Sequence, residues 1–149
     1  MMFRTLAAFA ALVAYAAAVP AHSLAWHALH DVTRTVLKEG KGPKPSHFHL
    51  VTVSYKGTLK NGKEHGKVFE SSKSYSFVLG KGDVIDCWDQ GVAQMHVGET
   101  AKLSCPSGTA YGQFGRAGLV PPNADLDFEV ELYSFKKASA AEAAQATEQ

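Results

Sequence analysis

The chain has 149 residues, of which 46% are hydrophobic and 19% charged, with a formal net charge of +1. That length suits one domain and is short for two. The near-neutral charge gives no basis for nucleic acid or an anionic membrane surface as the main partner.

Residues 1–21 read as a secretory signal peptide. Arg4 is followed by an apolar run from Leu6 to Val19, and no acidic residue precedes Asp31. A short basic head, an apolar run of this length and small residues after it are the marks of such a segment. Ala16-Ala17-Ala18 and Val19-Pro20-Ala21 both offer cleavage contexts. The run is short for a membrane span and Pro20 ends it, so no stable membrane insertion is expected after cleavage. The expected location is the secretory pathway, either the endoplasmic reticulum lumen or outside the cell. The C-terminal Ala-Thr-Glu-Gln is not a retention signal.

The remainder divides into short elements. Asp31–Lys38 alternates as a strand, and Gly and Pro make 39–46 a loop. His49–Gly57 places Val51, Val53 and Tyr55 on one face of a second strand. Asn61-Gly62 predicts a tight turn. The lysines around it, Lys56, Lys60, Lys63 and Lys67 with Glu64 among them, read as a solvated hairpin end. Lys67–Glu70 and Tyr75–Leu79 are two short strand pieces parted by Ser-Ser-Lys-Ser.

After a Gly-rich break the period changes. Ile85, Trp88, Val92 and Met95 recur at helical spacing within Val84–Met95, with Asp83 or Asp86 as the expected cap. Gly91 should keep this helix short. Thr100–Cys105 is a strand with Ala101, Leu103 and Cys105 inward. Asp125–Tyr133 is the clearest alternation: Leu126, Phe128, Val130 and Leu132 in, Asp127, Glu129 and Glu131 out. Residues 136–149, mostly Ala, Glu and Gln, are expected to be a flexible tail. The domain is therefore 30–135, of α+β class: an antiparallel, roughly five-stranded twisted sheet wrapped around one short helix.

Standard catalytic sets are missing from the sequence. Ser71 and Ser72 lack the context of a nucleophile, and His47 and His49 read as exposed strand histidines. Cys87 and Cys105 leave two states open, a disulfide and two buried thiols, with buried thiols the favoured reading. No third and fourth ligand give them zinc spacing. What stands out is a set of aromatic residues near chain breaks. Ala110–Pro122 is Gly- and Pro-rich yet carries Tyr111, Phe114, Leu119 and Val120. An apolar cleft with a few placed polar groups is the default ligand site.

The ordered segments VSYKG, KVFESS, DVIDCWDQGVAQMHVGETAKL, AYG, GLVPP and NADLDFEVEL resemble the FKBP-type peptidyl-prolyl cis/trans isomerases over about Val32–Tyr133. The resemblance implies prolyl isomerisation without a cofactor, proline-containing polypeptides as substrates, tacrolimus and rapamycin as ligands, and a monomer. It implies Trp88 as the floor of a pocket, with Phe69, Tyr75, Val84, Ile85, Leu119 and Phe128 lining it. Tyr111, Glu70 and Tyr55 would be the catalytic residues, with Glu70 paired to Tyr55 and the Ile85 N–H as a second donor. Phe114 and Arg116 would be edge residues that tune partner choice. The chain departs from the family pattern at four of these sites: Glu70 for Asp, Tyr75 for Phe, Cys87 for Gly and Arg116 for His. It also has an insertion of roughly four residues around 62–67. Glu70 motivates a second reading, a weakly catalytic or non-catalytic proline-peptide binding module or chaperone.

Overall fold

In a computed structural model, residues 31–144 are described. The expected signal peptide, residues 1–21, lies outside them. Five strands run in chain order as β1 (Thr33–Lys38), β2 (His49–Leu59), β3 (Val68–Val78), β4 (Thr100–Cys105) and β5 (Leu126–Lys137). They form one antiparallel sheet in the order β1-β4-β5-β2-β3. A helix, α1 (Asp86–Val92), lies between β3 and β4 in sequence, and α2 (Ala140–Ala144) follows β5.

β5 is a central strand, bonded to β4 on one side and β2 on the other. Its alternation is as the sequence reads: Leu126, Phe128, Val130 and Leu132 are buried. Lys102 on β4 reaches across the outer face to Asp127 at 2.8 Å. Against the inner face sits α1, burying Cys87, Trp88, Gly91 and Val92. Trp88 packs among the strand aromatics, and a single turn beyond α1 adds the buried Met95.

Four expectations need correction. The two pieces Lys67–Glu70 and Tyr75–Leu79 are one strand, β3, whose register against β2 shifts between the Val53–Tyr75 and Tyr55–Ser72 pairs. The extra residue breaks the two-residue period, and Ser72 Oγ accepts from the Ser74 N–H at 3.3 Å within it. The Asn61-Gly62 turn is not tight. An eight-residue loop, 60–67, joins the strands, with the Leu59 N–H donating to the Lys67 carbonyl at 3.0 Å. Neither Asp83 nor Asp86 caps α1; Ile85 holds that position without a side-chain bond. Asp89 instead accepts the N–H groups of Gly80 (2.8 Å) and Gly82 (3.2 Å), tying the preceding turn to the helix. Finally, β5 continues to Lys137 and α2 follows it, so the first part of the expected flexible tail carries regular structure. The Ser139 N–H donates to Glu142 Oε2 (2.8 Å), and Ser139 Oγ accepts from the Glu142 N–H (3.2 Å), a capping box.

The two cysteines are joined. Cys87 of α1 and Cys105 at the end of β4 form a disulfide with Cα atoms 5.6 Å apart. It fastens the residue before Trp88 to the sheet.

A second buried tie was not expected. Glu99 is 1% exposed; it pairs with Arg34 of β1 and accepts the His96 N–H at 3.0 Å. A buried carboxylate is tolerated when paired and hydrogen-bonded, and this one fixes β1 to the turn after α1.

Candidate active site

The inner face near α1 opens as a cleft of about 500 Å³, within the range of small-ligand sites. Trp88 and Phe128 form its floor, with ring centroids 5.3 Å apart and planes at 85°. Tyr55 meets Trp88 edge-on at 4.8 Å, and Tyr75 does so at 6.1 Å. Such edge-to-face contacts place ring edges against the negative π face, the favoured arrangement. Trp88 is 4% exposed and fixed on four sides, since Phe77 also packs on it at 5.6 Å.

Each wall comes from a different element. β2 supplies Tyr55, β3 supplies Glu70 and Tyr75, and β5 supplies Phe128. The turn before α1 supplies Val84 and Ile85. Ile85 stands at the start of the helix, where N–H groups have no intrahelical acceptor. Gly57 on β2 makes room for this packing: a Cβ there would lie 2.7 Å from the Phe69 ring and 2.8 Å from Phe128.

Tyr111 comes from the loop after β4, and its backbone is set by a small self-bonded turn. Arg116 and Val120 exchange two backbone hydrogen bonds (2.8 and 2.9 Å), and Gly115 donates to the Tyr111 carbonyl at 3.1 Å. Gly115 has φ +63°, and a Cβ on it would meet the Val120 carbonyl at 2.3 Å, so only glycine fits.

Two of the expected lining residues stand elsewhere. Leu119 is 41% exposed and outside the cleft. The Arg116–Val120 bridge turns Val120 inward, to 4% exposed, and its neighbour outward. Phe69 is buried behind Phe128, ring to ring at 5.6 Å, and does not reach the cleft surface. Phe114 is 84% exposed at the loop tip. Conversely, Asp83 and Arg116 line the cleft. Arg116 was read from sequence as an edge residue, and Asp83 only as a cap. No spacing rule points to either, since the loop path decides both.

The charges of the rim meet one another. Arg116 Nη1 donates to Glu70 Oε2 at 2.9 Å, and its guanidinium carbon lies 5.9 Å from the centroid of the Tyr111 ring. Burial, with the Glu70 carboxylate second, pushes the Tyr55 phenol up to about 12. Burial also raises Tyr111, with Arg116 as the main opposing influence. Both phenols therefore remain neutral hydrogen-bond donors at ordinary pH.

None of Cys87, His96, Ser71, Ser72 and His49 lines the cleft. Cys87 is in the disulfide, and His96 lies beside Glu99. Ser71 and Ser72 pair with Lys56 and Tyr55 of β2, beside the bulge. His49 Nδ1 accepts the Ser46 N–H at 2.9 Å, and the ring stacks on Phe135 at 4.8 Å. Among the described residues, no three His, Cys, Asp or Glu side chains gather closely enough to hold a metal ion. No helix among them is long and apolar enough to cross a membrane.

The chain belongs to the FKBP-type peptidyl-prolyl cis-trans isomerase family, whose profile matches residues 42–133. It is 50% identical over 106 residues to FK506-binding protein 1 of Dictyostelium discoideum, covering 68% of this chain and 95% of that one. It is 43% identical over 97 residues to peptidyl-prolyl cis-trans isomerase FKBP1A of Xenopus laevis, covering 64% and 90%. With peptidyl-prolyl cis-trans isomerase FPR2 of Saccharomyces cerevisiae it shares 52% over 93 residues, covering 60% and 67%. The chain is a peptidyl-prolyl cis/trans isomerase, and proline-containing peptides are its substrates. The reading as a binding module without turnover is not favoured.

Proposed function

We propose that the cleft accelerates X-Pro rotation in folding polypeptides of the secretory pathway, by non-covalent stabilisation of the twisted amide. The observation that carries this mechanism is the aromatic cleft itself: Trp88, Phe128, Tyr55 and Tyr75 surround a space whose polar lining is the tyrosine hydroxyls, the paired Glu70 and Arg116, and Asp83. An amide resists rotation by about 18–20 kcal/mol because of resonance. In X-Pro bonds both isomers are populated but exchange takes tens to hundreds of seconds. The twisted transition state has lost resonance and is less polar along C–N, so a dry aromatic surface favours it over the planar ground state. Catalysis is that difference in binding.

The cleft geometry supports the following roles. Proline rests on Trp88, against Phe128, Tyr55, Tyr75 and Val84. The Tyr111 hydroxyl and the Ile85 N–H donate to substrate carbonyls. The raised phenol keeps the Tyr111 proton available at neutral pH. In this reading the same surfaces hold tacrolimus or rapamycin, residues 1–21 direct the chain into the secretory pathway, and the domain acts as a monomer.

The test is an exchange assay of a Leu-Pro peptide with the purified chain, with and without rapamycin. Acceleration abolished by stoichiometric rapamycin is the expected result. Failure to accelerate by folded protein would overturn the mechanism, and acceleration untouched by rapamycin would remove the drug site.

A further inference from the structure

Two residues that depart from the family pattern touch each other. Glu70 stands on β3 and Arg116 on the loop after β4, 46 positions apart, and their side chains meet at 2.9 Å across the open side of the cleft. The loop's other hydrogen bonds are internal or lie at its end, where Asp125 meets Lys60 and Asn61, while Val120, Ala110 and Tyr111 pack against the core. Arg116 bonds Val120, and Gly112 accepts from the Asn123 N–H at 2.8 Å. These bonds shape the loop without tying it to the far wall. The Glu70–Arg116 pair is the hydrogen-bonded contact that spans the two walls, and it brings the guanidinium over the Tyr111 ring. An arginine at this distance from an aromatic face is attracted to it. The ring is thereby held between the loop backbone and a cation anchored on β3.

We propose that Arg116 is a positioning residue for Tyr111, latched by Glu70 across the mouth of the cleft. The proposal rests on the assignment of Tyr111 as the donor to the substrate carbonyl. It also gives Glu70 a different role from the one expected by resemblance: Glu70 anchors Arg116, and the longer side chain that replaces Asp is what carries the carboxylate toward the loop. Both members are partly exposed, with side chains 42% and 33% accessible. The latch is therefore a weak one that orients the loop and contributes little to global stability.

The experiment compares the full chain with Arg116→Ala, Glu70→Ala, the double variant, Arg116→Lys and Tyr111→Phe alone and with Arg116→Ala. kcat/KM is measured on an uncharged Leu-Pro peptide, and thermal melting confirms folding. An exposed pair of this kind corresponds to a loss of about two- to fivefold in each single variant. The double variant should fall no further than the worse single one, because both remove the same interaction. Arg116→Lys should recover part of the loss. In the Tyr111→Phe background, Arg116→Ala should cost almost nothing more. A double variant whose losses multiply, or an undiminished effect of Arg116→Ala without the Tyr111 hydroxyl, would overturn the latch. A second measurement does not depend on activity. With ¹³Cζ-labelled tyrosine, Arg116→Gln should move the Tyr111 titration upward, since the guanidinium opposes the raised phenol. An unmoved titration would sink the proposal even in an active enzyme. Wild-type protein that is folded but catalytically silent would instead refute the mechanism under Proposed function, leaving the titration to decide the latch.

Discussion

The floor and the rim of the cleft are built in different ways. Trp88 is held by ring contacts with Tyr55, Tyr75, Phe77 and Phe128, and the residue before it is bonded covalently to β4. The rim loop is shaped by its own backbone, turns Val120 into the core and, among the described residues, bonds to β3 through the exposed Glu70–Arg116 pair. Packed aromatic surface resists change because each contact depends on its neighbours. A solvated ion pair is screened and easily broken. A fixed aromatic surface thus sits beside a rim fastened by a weak contact.

The floor should be the costlier region to damage. Trp88→Ala removes a nearly fully buried ring from the centre of that network. Such truncations cost about 3–5 kcal/mol. Chemical denaturation should show a loss in that range, with no measurable isomerase activity in the protein that still folds. A loss under about 1 kcal/mol would mean that the floor collapses around the gap and that the ring network is not what stabilises α1.

Next in size comes the disulfide. It closes a loop of 18 residues around the helix, for which chain entropy gives about 3 kcal/mol. Reduction, or Cys87→Ala with Cys105→Ala, should lower unfolding free energy by up to about that amount. Below the new melting temperature the cleft aromatics stay packed, so activity should stay near wild type. If activity falls in step with reduction while the fold remains, the bridge orients Trp88 as well as anchoring α1.

Periodicity in the sequence marks Trp88 and Phe128 as buried but gives no direction to the rim loop, for a physical reason. Trp88 lies on a helical period with Val84, Val92 and Met95, and Phe128 lies on a two-residue period with Leu126 and Val130; burial imposes both patterns. Leu119 and Arg116 occupy a loop whose side-chain directions follow from the Arg116–Val120 bridge, which no periodicity encodes. The β3 bulge erased its own period at Ser71–Ser74, so one strand read as two. The Cys87–Cys105 pairing and the burial of Glu99 against Arg34 depend on residues brought together from separate elements. Their residue types alone were compatible with a thiol and a surface charge.

At the rim, a smaller loss is expected from deleting one hydroxyl. Tyr111→Phe keeps the ring beneath Arg116 and removes the hydroxyl, which is both the donor and the group bonded to Arg116. A hydrogen bond of net worth about 0.5–1.5 kcal/mol corresponds to about a two- to twelvefold loss in kcat/KM. Stability should shift by no more than about 0.5 kcal/mol, because the ring and its packing against the core are kept. An unchanged kcat/KM would remove Tyr111 from the mechanism and leave shape and dryness as its source.

The smallest effect is on pH dependence, where the two regions should separate. Tyr55, on the wall beside Trp88, has its phenol pushed up to about 12, first by burial and then by Glu70. Tyr111 is also raised by burial, but Arg116 opposes that rise more directly than it does at Tyr55. Unfolded tyrosines titrate near pH 10. A phenol whose folded pKa lies higher binds its proton more tightly in the native state. Its contribution to stability is complete below about pH 10 and disappears as pH rises from there through about 12. The rate should therefore stay level from neutral pH to about pH 10, then fall as the Tyr111 donor ionises, before Tyr55 does. Stopped-flow exchange assays across that range, with ¹³Cζ-tyrosine spectra on the same samples, distinguish the order. A decline centred well below pH 10 would show that the rim is wetter than its burial implies. If Tyr55 ionises first, the ring network does not shield the wall beside Trp88, and the contrast between floor and rim fails at the point where both donate protons to the same cleft.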